Sequence, residues 1–273
     1  MKIKRMTLIC LIISAFGGIA GAIFRTVALL NNYDSASGHF MIGDPQPVLG
    51  LSWAFPVICV LAVCALCIVC RKRLKEKRII HGIDYTVGAF AAAMTSLIVF
   101  FESVSSIAAG SAFSRGLEMG IAVFAVLSCV TVLAGALIPA KGVNLLRAGV
   151  SLTPALFIML PGFRAYFDPE LVMNCPNKNV YIIAACFAAL SVISECRFNT
   201  AEPKPLWFVI CCCGAVSFGL LCAIPDLIYL AANKTSLLRG WGADASIFGF
   251  AVFSALRLIS VRNGAKRLKK ADE

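Results

Sequence analysis

Eight apolar runs, at about residues 6–30, 50–70, 85–109, 116–139, 144–162, 179–196, 205–232 and 245–261, leave room for essentially one kind of fold. Each is about 17–27 residues long, and a helix rising ~1.5 Å per residue needs about 20 residues to cross ~30 Å of hydrocarbon. Lipid offers no water to pair with backbone N–H and C=O groups, so such a run must satisfy its hydrogen bonds internally, as an α-helix. The expectation is an all-α, polytopic transmembrane bundle of eight spans, forming a single integral membrane domain over residues 1–273. Composition agrees: 60% of residues are hydrophobic and only 14% charged, with a mean hydropathy of +0.87. The polar stretches between runs are each under about 20 residues, which leaves no segment long enough for a separate soluble domain.

The block Arg71-Lys72-Arg73-Leu74-Lys75-Glu76-Lys77-Arg78 sets the direction of threading. Lys and Arg beside a span resist translocation, so this block belongs on the cytoplasmic side, against anionic headgroups. An even number of spans puts both termini on one side. With that threading, all but six of the 25 cations (Arg25, Arg115, Arg164, Lys178, Lys234 and Arg239) fall nearest the cytoplasmic side. Both termini are therefore expected in the cytoplasm. The net charge of +11 sits in short loops and tails, which assigns it to anionic lipid rather than to nucleic acid. Arg71, Lys72, Arg73, Lys75, Lys77, Arg78 and the C-terminal tail are the expected headgroup contacts.

The first run has cations before it and small residues inside it, as a signal peptide would. Its length, and the apolar residues that resume after Arg25, favour a span. Within it Gly17 and Gly21 form a G-x-x-x-G pair, a pattern that admits a neighbouring helix at close range. All of the 13 cysteines but Cys175, among them Cys10, Cys67, Cys213 and Cys222, lie within apolar runs and read as small hydrophobes. Cys175 lies in a polar loop without a partner there, so no disulfide framework is implied.

Ionisable residues at membrane depth point most directly to function, because a charge in hydrocarbon is costly unless paired or hydrated. Glu102 lies in the third run and Asp226 in the seventh, both roughly 10 Å from the outer end by helical rise. Pro225 precedes Asp226 and, lacking an N–H, frees the carbonyl of Leu221. Arg25 lies at matching depth in the first run. These residues are expected to form a buried outer cluster of Arg25, Glu102 and Asp226, with Glu118 and Arg164 nearer its mouth, as candidates for substrate or ion binding. Interhelical clamps or snorkelling side chains would account for the same residues. Arg147, Glu195, Arg197 and Arg257, near the inner ends, read as snorkelling. Pro154 and Pro161 read as shaping a kink in the fifth span, which is expected to end at Pro161-Gly162.

No catalytic set, cofactor motif or metal set is apparent. His39 and His81 fall on opposite sides of the membrane, and H-E-x-x-H, G-x-S-x-G and P-loop patterns are all missing. The spacing Cys64-x-x-Cys67-x-x-Cys70 drifts around a helix and lacks a fourth ligand. Asn233-Lys234-Thr235 is a glycosylation sequon close to the membrane.

The exit from the first run at Arg25 to Asp34, the Gly-bearing loop before Trp53, Thr153-Pro154-Ala155-Leu156-Phe157 and the region from Ala184 to Ser191 resemble a group of uncharacterised eight-helix membrane proteins of anaerobic Firmicutes. The resemblance implies the eight-helix architecture and a bacterial cytoplasmic membrane location, and carries no activity. Passage or binding of a small solute or ion is the leading functional expectation. A non-transporting scaffold, sensor or accessory subunit is the alternative, and a membrane enzyme comes third. A water-accessible cavity reaching Glu102 or Asp226 would favour transport, and acids sealed in pairs would favour a scaffold.

Overall fold

The computed structural model describes residues 3–34, 37–41, 46–71, 83–110, 114–137, 149–150, 152–168, 175–197, 204–233, 236–237 and 240–271. These residues fold into eight long helices: α1 (Ile3–Asn32), α2 (Gln46–Val69), α3 (Ile83–Ala108), α4 (Arg115–Leu137), α5 (Thr153–Phe167), α6 (Pro176–Cys196), α7 (Pro205–Asn233) and α8 (Trp241–Ala271). A two-stranded antiparallel hairpin, β1 (Tyr33–Asp34) and β2 (His39–Phe40), follows α1 and pairs Tyr33 with Phe40. Seven of the eight helices are long and apolar enough to cross a membrane, making this a multi-pass helical protein.

The exception is α5. The fifth run was expected to span 144–162 and stop at Pro161-Gly162, but the helix begins at Thr153 and continues through Pro161 to Phe167. The 15 residues described as this helix rise about 22 Å, and Gly149 and Val150 before them are helical too. Pro154 occupies the first turn, where its missing N–H costs nothing. Pro161 lies inside the helix, and Gly162 beside it lies against the Tyr181 ring of α6. Residues 144–148 lie outside the described residues.

Helices α7 and α8 form the centre. The apolar window of α7 is 83% buried against 28% for α2 and α4, so α7 faces protein nearly all round while α2 and α4 present apolar side chains outward. It packs on α1, α2, α6 and α8, and α8 packs in turn on α3. Small residues make this possible. The G-x-x-x-G pair of α1 does what its spacing predicts: a Cβ at Gly17 would stand 2.7 Å from Cys59 Cβ, and one at Gly21 would stand 2.6 Å from the Ser52 carbonyl oxygen, both on α2. Gly18, one residue round, makes the corresponding approach to α7, where a Cβ would come 2.7 Å from the Ser217 carbonyl oxygen. Ser217 Oγ donates to the Ser14 carbonyl at 2.7 Å across the same seam.

At one end of the bundle the hairpin closes over α1 and α7. Tyr33 meets Phe40 and Tyr229 edge-on, with ring centroids 5.5 and 5.7 Å apart, and Leu29, Tyr229 and Leu237 are buried beneath. At the other end Met6, Cys10, Val63, Cys67, Phe208, Cys213 and Leu258 form a separate apolar cluster. The start of α1 and the later part of α8 thus share the end remote from the hairpin.

Candidate buried charge cluster

Every helix but α2 places an occasional charge within its length, and several of these charges find one another where water is scarce. Arg25 of α1 is only 1% exposed. Its Nη2 donates to Asp226 Oδ1 at 2.6 Å and to Asn177 Oδ1 at 2.9 Å. Its Nη1 donates to the carbonyls of Leu221 and Cys222, both at 2.9 Å. The Leu221 carbonyl is the one that Pro225 deprives of its helical partner, so the proline creates the acceptor and the guanidinium fills it. Arg25 and Asp226 meet as the sequence predicts, and neither faces lipid.

Glu102 does not join them. Its Oε2 accepts from the Gly242 N–H at 2.8 Å, in the first turn of α8. Two glycines cradle the carboxylate there, since a Cβ at Gly240 or Gly242 would overlap its oxygens. A helix N-terminus offers unpaired N–H groups and a positive dipole end, which explains why the acid settles on it. Unlike Asp226, Glu102 borders open space: a cleft of about 580 Å³ is lined by Ile98, Phe101, Glu102, Ser105, Ser106, Ala109 and Trp241.

Glu118 and Arg164 form their own buried pair between α4 and α5, with Arg164 Nη1 at 3.2 and 3.4 Å from the two carboxylate oxygens. The expected five-residue cluster is therefore three adjacent arrangements: Arg25 with Asp226, Glu102 on α8, and Glu118 with Arg164.

At the opposite end Arg257 departs from the expectation of snorkelling. It is 1% exposed and forked onto Glu195, with Nε donating to Oε2 at 2.7 Å and Nη2 to Oε1, while its guanidinium carbon stands 4.3 Å over the Tyr85 ring. A paired acid and an aromatic face make burial cheaper than reaching for the headgroups. Arg197 is exposed, and Arg147 lies outside the described residues, as does the basic block beyond Arg71.

Comparison with known proteins gives no relative: no family model, curated protein or solved structure matches the chain.

Three site residues escape the sequence reading. Asn177, in the first turn of α6, accepts from Arg25; an asparagine beside Cys175-Pro176 reads as a turn former, and nothing local separates that from a buried partner. Asp244 lies in the first turn of α8 and is 3% exposed. Its position before an apolar run reads as the end of a polar loop, although an acid in a helix's first turn was a usable signal. Cys222 reads as filler, yet Cys222 Sγ lies 4.0 Å from Asp226 Oδ2 and 3.9 Å from Asp244 Oδ1. Cys222 and Asp226, four residues apart, share one face of α7 toward α8.

Outside the spans, the Tyr33 hydroxyl lies 4.0 Å from Cys175 Sγ. Burial, reinforced by Cys175, pushes its ionisation up, so it remains neutral.

Proposed function

We propose that the protein binds and passes a small solute or ion, with the Glu102 cleft as the point of access. The observation that carries this reading is the contrast between two acids: Asp226 is sealed against Arg25, whereas Glu102 stands at an open cleft of about 580 Å³. An anionic group flanked by Ser105, Ser106 and an aromatic wall suits a cation or a hydrogen-bonding solute. The setting we infer is a bacterial cytoplasmic membrane, both termini in the cytoplasm and the basic loop on anionic headgroups, in keeping with the resemblance to eight-helix membrane proteins of anaerobic Firmicutes.

A second reading, a non-transporting scaffold or accessory subunit, draws support from the ion pairs Arg25–Asp226, Arg164–Glu118 and Arg257–Glu195, all nearly or fully out of solvent. Buried pairs of this kind lock helices in register without needing a substrate. Single cysteines at Ser105, Ser106 and Ala109, in a background cleared of native cysteines, separate the two. Passage predicts rapid reaction with a membrane-impermeant thiol reagent at these positions, slowed when Glu102→Gln changes occupancy of the cleft. Protection at all three positions from both sides of the membrane would leave the scaffold reading standing.

A further inference from the structure

Beyond the cleft, and independent of whether anything passes through it, we infer that Cys222, Asp226 and Asp244 form a binding site for one divalent transition-metal ion of zinc-like character. One thiol sulfur and one oxygen from each carboxylate lie within 4.8 Å of one another, and all three residues are buried. The two oxygens of Asp226 divide the work. Oδ1 is held by Arg25 at 2.6 Å, and Oδ2 turns toward Cys222 at 4.0 Å. A carboxylate steadied by another side chain's donor, as ligating carboxylates are, is thereby already in place.

Charge supports the same conclusion. When the thiol and both carboxyls bind as anions they carry three negative charges, Arg25 carries one positive charge, and one divalent cation makes the group neutral. The donors narrow the metal. Calcium and magnesium take oxygen alone, while mixed sulfur and oxygen donors suit a borderline ion such as zinc. Zinc–sulfur and zinc–oxygen bonds of ~2.3 and ~2.0 Å at a tetrahedral angle hold sulfur and oxygen about 3.5 Å apart. The observed 3.9 and 4.0 Å require the three side chains to close by about half an ångström.

A separate observation also points into this space. The hydroxyl of Tyr181 on α6 is wholly buried and makes no hydrogen bond of ordinary geometry. Cys222, Asp244, Arg164 and Ser246 are the polar groups that act on it. A buried hydroxyl costs free energy unless it is satisfied, and a metal-bound carboxylate or a water in the fourth coordination position would satisfy it.

Cobalt(II) is the probe, because a cobalt–thiolate bond gives a near-ultraviolet charge-transfer band. Full-length protein purified in detergent and stripped with a chelator is expected to take up one cobalt per chain with that band, and zinc should displace it. Cys222→Ser should abolish the band, and Asp244→Asn should weaken binding at least tenfold. Cys213→Ser should leave it intact, although Cys213 belongs to a second group of thiols beside Cys10 and Cys67. Tyr181→Phe, which removes only the hydroxyl, should weaken binding several-fold. Size-exclusion profiles and melting curves identify variants that fail to fold, and the remaining variants then decide the question. A monodisperse wild-type protein that takes up no cobalt would overturn the inference. So would a band that survives Cys222→Ser, one that disappears with Cys213→Ser, or binding indifferent to both Asp244→Asn and Tyr181→Phe.

Discussion

Arg25 is the residue with most to lose. Four acceptors from two helices converge on its guanidinium, so truncation leaves Asp226 without its cationic partner in a water-poor interior. Arg25→Leu is therefore expected to cost about 3–5 kcal/mol, the range for breaking a buried pair, read as a fall in melting temperature in detergent. Arg25→Lys should recover little of that loss, because a single ammonium cannot serve two carbonyls, an amide and a carboxylate in one plane. Pairing Arg25→Leu with Asp226→Leu should restore much of the stability, since the uncompensated acid has gone. A double variant as unstable as Arg25→Leu alone would show that shape, rather than charge, holds α1 to α7. Glu102 carries a second expectation at this scale. Gly242→Ala puts a methyl where the carboxylate sits and should expel Glu102 toward the cleft, lowering the reactivity of a neighbouring Ser105→Cys because a carboxylate beside it disfavours the thiolate.

At the scale of elements, small residues decide which helices touch. Gly18→Ala and Gly21→Ala each place a methyl against the backbone of a neighbouring helix, and overpacking of this kind costs about 1–3 kcal/mol. Gly120 of α4 has open space where its Cβ would be, so Gly120→Ala should be neutral or should stabilise by up to ~1 kcal/mol through helix propensity. Parallel melting curves check both, and equal effects at all three sites would mean that close approach along α1 carries no weight. Much of this level is readable in the chain. Long apolar runs announce helices, Gly17 and Gly21 announce a seam, and Pro225 announces a free carbonyl. The start of α5 is not readable, because an apolar run continuing across residues 144–152 looks the same whether or not the chain is helical there. Nor is the fate of Arg257. Its distance from the end of an apolar run fits snorkelling and burial equally well, and only the placing of Glu195 and Tyr85 beside it settles which occurs.

For the whole molecule, the charge asymmetry makes a prediction about threading. A reporter fused after Glu273 should be active only in the cytoplasm, and one placed in the loop near residue 36 only outside. Replacing the six cations of residues 71–78 with Gln should give mixed orientation, since the strongest retention signal in the chain is then gone. A uniquely oriented product would show that the tail cations suffice.

The sequence alone determined that this protein is a bundle of membrane helices, because hydrophobic length and backbone hydrogen bonding leave lipid-exposed chain no alternative. It also determined that Arg25 and Asp226 lie at the same depth, since helical rise converts residue number into distance. Only the tertiary structure decided which charges pair, because depth says nothing about rotation around a helix axis or about which helices are neighbours. That is why Glu102 lies on the glycines of α8 and Asp244 joins Asp226 and Cys222. Partners set by packing, unlike spans set by length, exist only once the helices have come together.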